Sequence, residues 1–236
     1  MPLSAMFDRG AGHYDLLVGL NPGYHAELGR AAAALAERVV PAQDPPRLID
    51  LACGSGLSTA ALVEAVPAAN VLGLDASGGM LAHARAKRWP ATVRFEEASA
   101  GELDVEALGR GSWDGILTAY LFRNVPADRR DAAVAEAFDL LAPGAWLVVQ
   151  EYSVAGRAEA RARWHAVCWL GIIPLGLLLD RNLALYRYLW RSVLDFDSLE
   201  RFCDRLAAAG FVEVARHAAS GWQRGILHTV VARKPS

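Results

Sequence analysis

Residues 47–56 read RLIDLACGSG, a mostly apolar run that gives way to small residues. Arg47–Ala52 has the pattern of a buried strand, and Ser58–Val66 that of the helix after it. Between them Ala52, Gly54 and Gly56 let the backbone turn tightly and approach a ligand with little side chain in the way. Asp50, inside the strand end, suits a cationic or amine-bearing ligand and is wrong for a pyrophosphate. A dinucleotide fingerprint would run G-x-G-x-x-G, but its third glycine position is Thr59. A phosphate loop is excluded because no Gly-Lys-Ser/Thr follows. The next apolar run, NVLGLD at residues 70–75, ends on Asp75, 19 positions after Gly56. A carboxylate there can accept hydrogen bonds from both hydroxyls of a ribose, a role open to nicotinamide and methionine-derived cofactors alike. Its structural alternative is to cap the following helix, which Ser77 could do as well.

Outward from this stretch, short β-rich runs alternate with alanine-rich helical ones, which argues for a mostly parallel sheet covered on both faces. A helix is expected around Gly79–Arg88, strands at Thr92–Glu97 and Trp113–Ala119, and a helix over Ala127–Leu141 stopped by Pro143-Gly144. Ala145–Tyr152 reads as the fifth strand. From Gly156 to about Leu194 the pattern changes to an apolar, tryptophan-bearing segment (Trp164, Trp169, Trp190), read as helices inserted after that strand. Pro174 is expected to break any long helix there. Asp197 and Glu200 have capping-box spacing, Gly210 suits a helix end, and Phe211–His217 with Ile226–Arg233 supply a last antiparallel pair. The expected whole is one domain over 1–236, with an N-terminal lid at about 1–30, an alanine-rich helix near Arg30–Val40, and a substrate insert at about 156–195.

Composition narrows the function. The 24 basic and 26 acidic residues of the 236 nearly cancel, leaving a formal charge of −2 and no long basic run, so no nucleic-acid partner is expected. Three cysteines without C-x-x-C spacing argue against a disulfide framework or a zinc site and point to a reducing compartment. No metal is expected. The opening residues lack the apolar core of a signal peptide, and the apolar stretch Ala166–Leu179 falls short of the roughly 20 residues a spanning helix needs. The expected location is the cytoplasm, with peripheral contact to a membrane surface through the insert as a further expectation.

At this point the residues resemble a known group. LIDLACGSG followed by LGLDASGGML is similar to the first motif and acidic strand of class I S-adenosylmethionine-dependent methyltransferases. Three further segments resemble the ubiquinone/menaquinone biosynthesis C-methyltransferases: Phe7-Asp8 to His13-Tyr14-Asp15, the R-N-V of Phe122-Arg123-Asn124-Val125, and Leu185-Tyr186-Arg187-Tyr188-Leu189. The resemblance implies a Rossmann-like α/β fold with a seven-stranded, mostly parallel sheet, and S-adenosyl-L-methionine as cofactor. It implies that Ser55 and the backbone of Gly54 and Gly56 hold the methionine part, with Asp50 and Ala52 in the same loop. Asp75 would take the ribose, Met80 the adenine face, and Ser99 and Ala100 the adenine edge. Ala119 would border the cofactor, and Tyr14 would cap it from the lid. The departures are Ala52 in place of a motif glycine, the bulky LGIIPLGLLL run, and SGWQRG at 220–225 where the family carries a Gly-Gly.

The implied chemistry is methyl transfer to a quinol or phenolic ring carbon. The ring becomes nucleophilic when a neighbouring hydroxyl loses its proton, and a nearby cation favours that anion. Arg123 is the candidate donor to the oxyanion, with Asn124 beside it as a neutral donor or acceptor; together they form the expected catalytic pair. The structural alternative is that Arg123 pairs with an acid and Asn124 caps the loop. The expected substrate is a small lipophilic or aromatic molecule, such as a prenylated quinol. Alternatives are a methyltransferase or methyltransferase-fold cyclase acting on an aromatic or polyketide-like metabolite, and a non-catalytic cofactor-binding partner protein. The apolar insert suits a greasy channel, a membrane contact or a homodimer interface.

Overall fold

The computed structural model describes residues 15, 19, 21, 23–40, 44–179 and 183–236. Its strands are β1 (Arg47–Leu51), β2 (Asn70–Asp75), β3 (Val93–Glu97), β4 (Trp113–Ala119), β5 (Leu141–Tyr152), β6 (Val212–Ala218) and β7 (Leu227–Arg233). They form one seven-stranded sheet in the order β3-β2-β1-β4-β5-β7-β6. The first five run parallel, and β7 enters antiparallel between β5 and β6. The central strand β4 is buried at every position, as a parallel strand covered on both faces requires. Its one charge, Asp114, accepts the backbone N–H of Arg47 at 2.8 Å.

Two helical layers create that cover. On one face α1 (Tyr24–Ala36) and α2 (Leu57–Ala65) set Ala31, Ala32, Leu35 and Leu62 against Leu48, Leu117, Val148 and Val231. On the other, α5 (Arg130–Leu140), which follows α3 (Gly78–Arg85) and α4 (Val105–Leu108) in the chain, packs Val134, Ala137 and Leu140 against Ile49, Ile116 and Leu147. Residues 23–30 of the expected lid open α1, and Leu28 there is buried in the core.

The insert comprises α6 (Ala158–Val167), a π-helical turn (Cys168–Ile172), α7 (Ile173–Leu179) and α8 (Leu183–Leu194), and α9 (Leu199–Ala208) follows. The helical path runs on through Pro174, but not as one long α-helix. The preceding turn widens, the N–H of Ile173 reaches back to the carbonyl of Cys168, and the proline falls in the first turn of α7, where a missing N–H costs least. The helix before β5 ends at Leu140, one residue before the expected Leu141, and what stops it is not Pro143-Gly144 but Leu141, which turns extended and pairs with Trp113. Ser198, not Asp197, caps α9 by accepting the N–H of Arg201 at 3.2 Å. Asp197 is buried and committed elsewhere: Arg205 Nε donates to it at 2.6 Å, and Arg130 and Arg201 approach to 3.4 Å.

Candidate active site

The site begins at the carboxyl end of β1. Three residues of the loop are left-handed: Ala52 (φ 65°), Gly54 (φ 55°) and Gly56 (φ 88°). The glycines adopt this freely, whereas Ala52 carries strain on the order of 1 kcal/mol. Asp75, at the end of β2, accepts the N–H of Gly54 on Oδ2 and that of Ser77 on Oδ1, both at 2.8 Å. Ser77 in turn caps α3, its Oγ accepting the N–H of Met80 at 3.1 Å. Asp75 is thereby released from capping, and its carboxylate ties the loop to the next turn at the cavity wall.

That cavity holds about 320 Å³ and has Ala52, Gly54, Asp75, Met80, Ser99 and Ala100 on its wall. Ala119, Arg123 and Asn124 border it from the β4 side. One carboxylate set among small residues and the apolar Leu51, Met80 and Val125 suits a ribose with an attached planar base and a compact tail. Other residues expected at the cofactor stand behind the wall. Asp50 is fully buried, with Ser58 and Thr59 donating to its Oδ2 at 2.8 and 2.6 Å. Burial pushes its carboxyl up to about 6, against the opposing effect of the two hydroxyl bonds. The Ser55 hydroxyl donates to Asp15, which Lys87 also holds at 2.6 Å while bonding the Ser55 carbonyl at 2.7 Å. Gly56 lies under Trp89, where a Cβ would come within 2.8 Å of the ring. Tyr14 lies outside the described residues.

A second cavity, about 130 Å³, adjoins the first and shares Tyr120 and Arg123 with it. Its walls include Trp164, Ile172, Leu175, Leu185 and Trp190 from the insert. Tyr24, Tyr120, Tyr152 and Trp164 stack in a row with centroid spacings of 5.5, 5.0 and 5.2 Å. Cys168 also borders this space, and burial pushes its thiol up to about 12, which leaves it a neutral wall. Tyr120 is the residue that turns the chain out of β4, and it does so at φ 62°. Backbone strain of this kind is tolerated where the surroundings over-determine it, and it gathers at functional sites.

Arg123 is buried and faces Glu151, equally buried, with Nε 3.2 Å from Oε1. The N–H is not aimed at that oxygen, so the contact is one of charge more than of hydrogen bonding. Arg123 Nη1 donates to Asn124 Oδ1 at 3.0 Å and to Ser192 Oγ at 2.9 Å. Asn124 spends its side chain on the loop: Nδ2 donates to the Tyr120 carbonyl at 2.8 Å, and Oδ1 also accepts the Tyr188 hydroxyl at 3.2 Å. Arg123 thus has an acid partner and still borders both cavities. Three residues of this region escaped the sequence reading. Tyr120 and Tyr152 look like ordinary strand-end aromatics, and Glu151 resembles a solvent-facing polar residue, whereas it is buried against Arg123. An acid at the carboxyl end of an otherwise apolar strand was the available signal.

A seven-stranded sheet with this strand order, a glycine loop after β1 and an acid after β2 defines a class I methyltransferase fold. The model of the ubiE/COQ5 methyltransferase family matches residues 4–232. The demethylmenaquinone methyltransferase of Thermus thermophilus is 37% identical, covering 87% of this chain and 91% of its own. This chain belongs to the ubiE/COQ5 methyltransferase family, and it is a methyltransferase. Among solved structures, the [4+2]-cyclase SpnF superposes with a TM-score of 0.70 over 99% of this chain and 95% of its own at 18% identity. The phosphoethanolamine N-methyltransferase 2 of Haemonchus contortus, in complex with S-adenosyl-L-methionine, has a TM-score of 0.62 at 16% identity and covers 88% of this chain and 53% of its own. At such identities these likenesses establish the fold alone.

Proposed function

We propose that this chain transfers a methyl group from S-adenosylmethionine to a ring carbon of a lipophilic quinol, demethylmenaquinol being the acceptor that its relative's name points to. The observation that carries the reading is the meeting of two unlike cavities at Tyr120 and Arg123, one walled by Asp75 and small residues, the other by aromatic and aliphatic side chains. The methyl donor is S-adenosylmethionine, which supplies an activated methyl on a sulfonium. Asp75 holds its ribose, Met80 its adenine face, Ser99 and Ala100 the adenine edge, and the backbone at Ala52 and Gly54 its methionine part. Because the donor is pre-activated, the protein's work is alignment and exclusion of water. Arg123 offers donors to the quinol oxyanion and raises the share of the nucleophilic anion. The aromatic row orients the ring, and the insert takes up the tail.

The same reading gives the insert a membrane role. Leu170 and Leu178 are 83% and 79% exposed, with Trp169 and Leu177 about half exposed beside them. This apolar tip adjoins Ile172 and Leu175 of the second cavity, so a lipid-borne acceptor would pass from bilayer to site over apolar surface. No helix among the described residues is long and apolar enough to cross a membrane, and the contact is peripheral, made from the cytoplasm. Of Arg157, Arg161 and Arg163, the arginines placed to meet anionic head groups, Arg163 is bonded to the carbonyls of Trp222 and Arg224 and Arg157 lies 3.6 Å from Glu200, while Arg161 is exposed. The contact rests on the apolar tip and on Arg161; a homodimer built on the tip is the competing use. Turnover on a long-tailed demethylated quinol against the same ring without a tail tests the reading. The expected result is a strong preference for the longer tail, and equal rates would remove the lipophilic cavity from the account.

A further inference from the structure

We propose that Glu151 is a positioning residue for methyl transfer, holding Arg123 so that its remaining donors face the junction of the two cavities. The inference rests on reading Arg123 as the group that meets the acceptor oxygen. Glu151, the penultimate residue of β5, has its side chain 4% exposed, and it grips residue 123 twice. Oε2 accepts the backbone N–H of Arg123 at 3.2 Å, while Oε1 lies 3.2 Å from the guanidinium Nε and accepts the N–H of Tyr152 at 3.0 Å. The carboxylate therefore fixes the start of the arginine side chain and, by its charge, the side of the guanidinium nearest the sheet. At the far end Ser192 of α8 and Asn124 share Nη1. Nη1 is engaged and Nε meets the carboxylate by charge alone, which leaves Nη2 as the outer end of the fork with no hydrogen-bond partner among the described residues, and Arg123 is on the wall of both cavities.

Charge leads to the same conclusion. A buried guanidinium without a counter-charge is costly, and it would draw toward water or toward another acid. Burial raises the carboxyl of Glu151 above its ordinary range, with Arg123 the largest opposing influence. The pair is a poor device for stability, since buried ion pairs are often matched or bettered by apolar replacements. Its value lies in aiming one side chain.

The test is a two-residue cycle on the full chain, with cofactor affinity by calorimetry and kcat and KM for the demethylated quinol. A misplacement of about 1 Å can cost on the order of 10²-fold in turnover. Glu151→Gln is expected to lower kcat about 10- to 100-fold while cofactor affinity and acceptor KM stay within about twofold. Glu151→Asp, which keeps the charge on a shorter arm, falls between. In the Arg123→Ala background the glutamine adds no further loss, because a residue acting through Arg123 has nothing left to act on. If Glu151→Gln alone fails to fold around its unpaired arginine, the double variant still makes the comparison, since it removes both charges. Normal kcat in Glu151→Gln, or a loss that multiplies with that of Arg123→Ala, overturns the inference. Normal turnover in Arg123→Ala itself would instead overturn the functional reading of that arginine.

Discussion

Replacing Asp50 by asparagine is expected to change how stability depends on pH. Asp50 is fully buried beneath the glycine loop, Oδ2 accepts two hydroxyl bonds, and Oδ1 has no partner among the described residues. Burial dominates, and the carboxyl rises from 3.8 to about 6. Between those values the unfolded chain has lost a proton that the native protein retains. Unfolding there releases a proton, so stability falls as pH climbs from about 4 to about 6 and levels off above. A rise of about 2 units corresponds to roughly 3 kcal/mol, of which about 2 kcal/mol falls between about pH 4.5 and pH 7. Asparagine has nearly the same shape and no charge, so this component vanishes. Urea unfolding of both proteins at the two pH values measures it, with the slope m as the check that the unfolded states are comparable. Wild type is expected to lose about 2 kcal/mol more than Asp50→Asn over that interval. Equal losses would refute the reasoning and mean that folding leaves the Asp50 carboxyl near its unfolded value.

Asp75→Ala removes a charge-assisted hydrogen-bond acceptor worth roughly 1.5–3 kcal/mol, so calorimetry is expected to show cofactor affinity down about tenfold to a hundredfold with the fold intact; unchanged affinity would detach Asp75 from the cofactor. Ala52→Gly relieves a left-handed alanine at some entropic cost, for a net gain of about 0.5–1 kcal/mol and a Tm higher by about 2–3 °C. A lower Tm would show that the alanine methyl contributes more by packing than it costs in strain. Glutamates at Leu170 and Leu178 are expected to abolish co-sedimentation with anionic liposomes while leaving turnover on a tail-less acceptor near wild type. Liposome binding that survives the change would hand the tip to a subunit interface or some other partner.

How far the sequence could be read depended on how local each signal was. The strands at 47–51, 70–75 and 113–119 were legible because a doubly covered parallel strand is apolar along its length, and Asp75 was legible because it ends such a run. The ends of the helix before β5 were not, since Leu141 chooses between helix and strand on the strength of its pairing with Trp113, a tertiary fact. Asp197 offered a better capping motif than Ser198 until three arginines, one from α5 and two from α9, met around it. The π-helical turn before Pro174 has no signature in residue types. In the site, spacing picked out the loop and Asp75, while the contacts of Asp50 with Ser58 and Thr59, of Ser55 with Asp15 and of Gly56 with Trp89 lie outside what spacing carries. Trp222, within the SGWQRG departure, is half-buried against the aromatic core cluster and borders neither cavity.

The most direct test of the account supplies purified protein with S-adenosylmethionine carrying a carbon-13 methyl group and with demethylmenaquinol kept reduced in detergent, and locates the label in the product by NMR. A new methyl resonance bonded to a quinol ring carbon is expected, appearing in step with the demethylated cofactor. Label on a hydroxyl oxygen, or turnover confined to acceptors without a tail, would contradict the account.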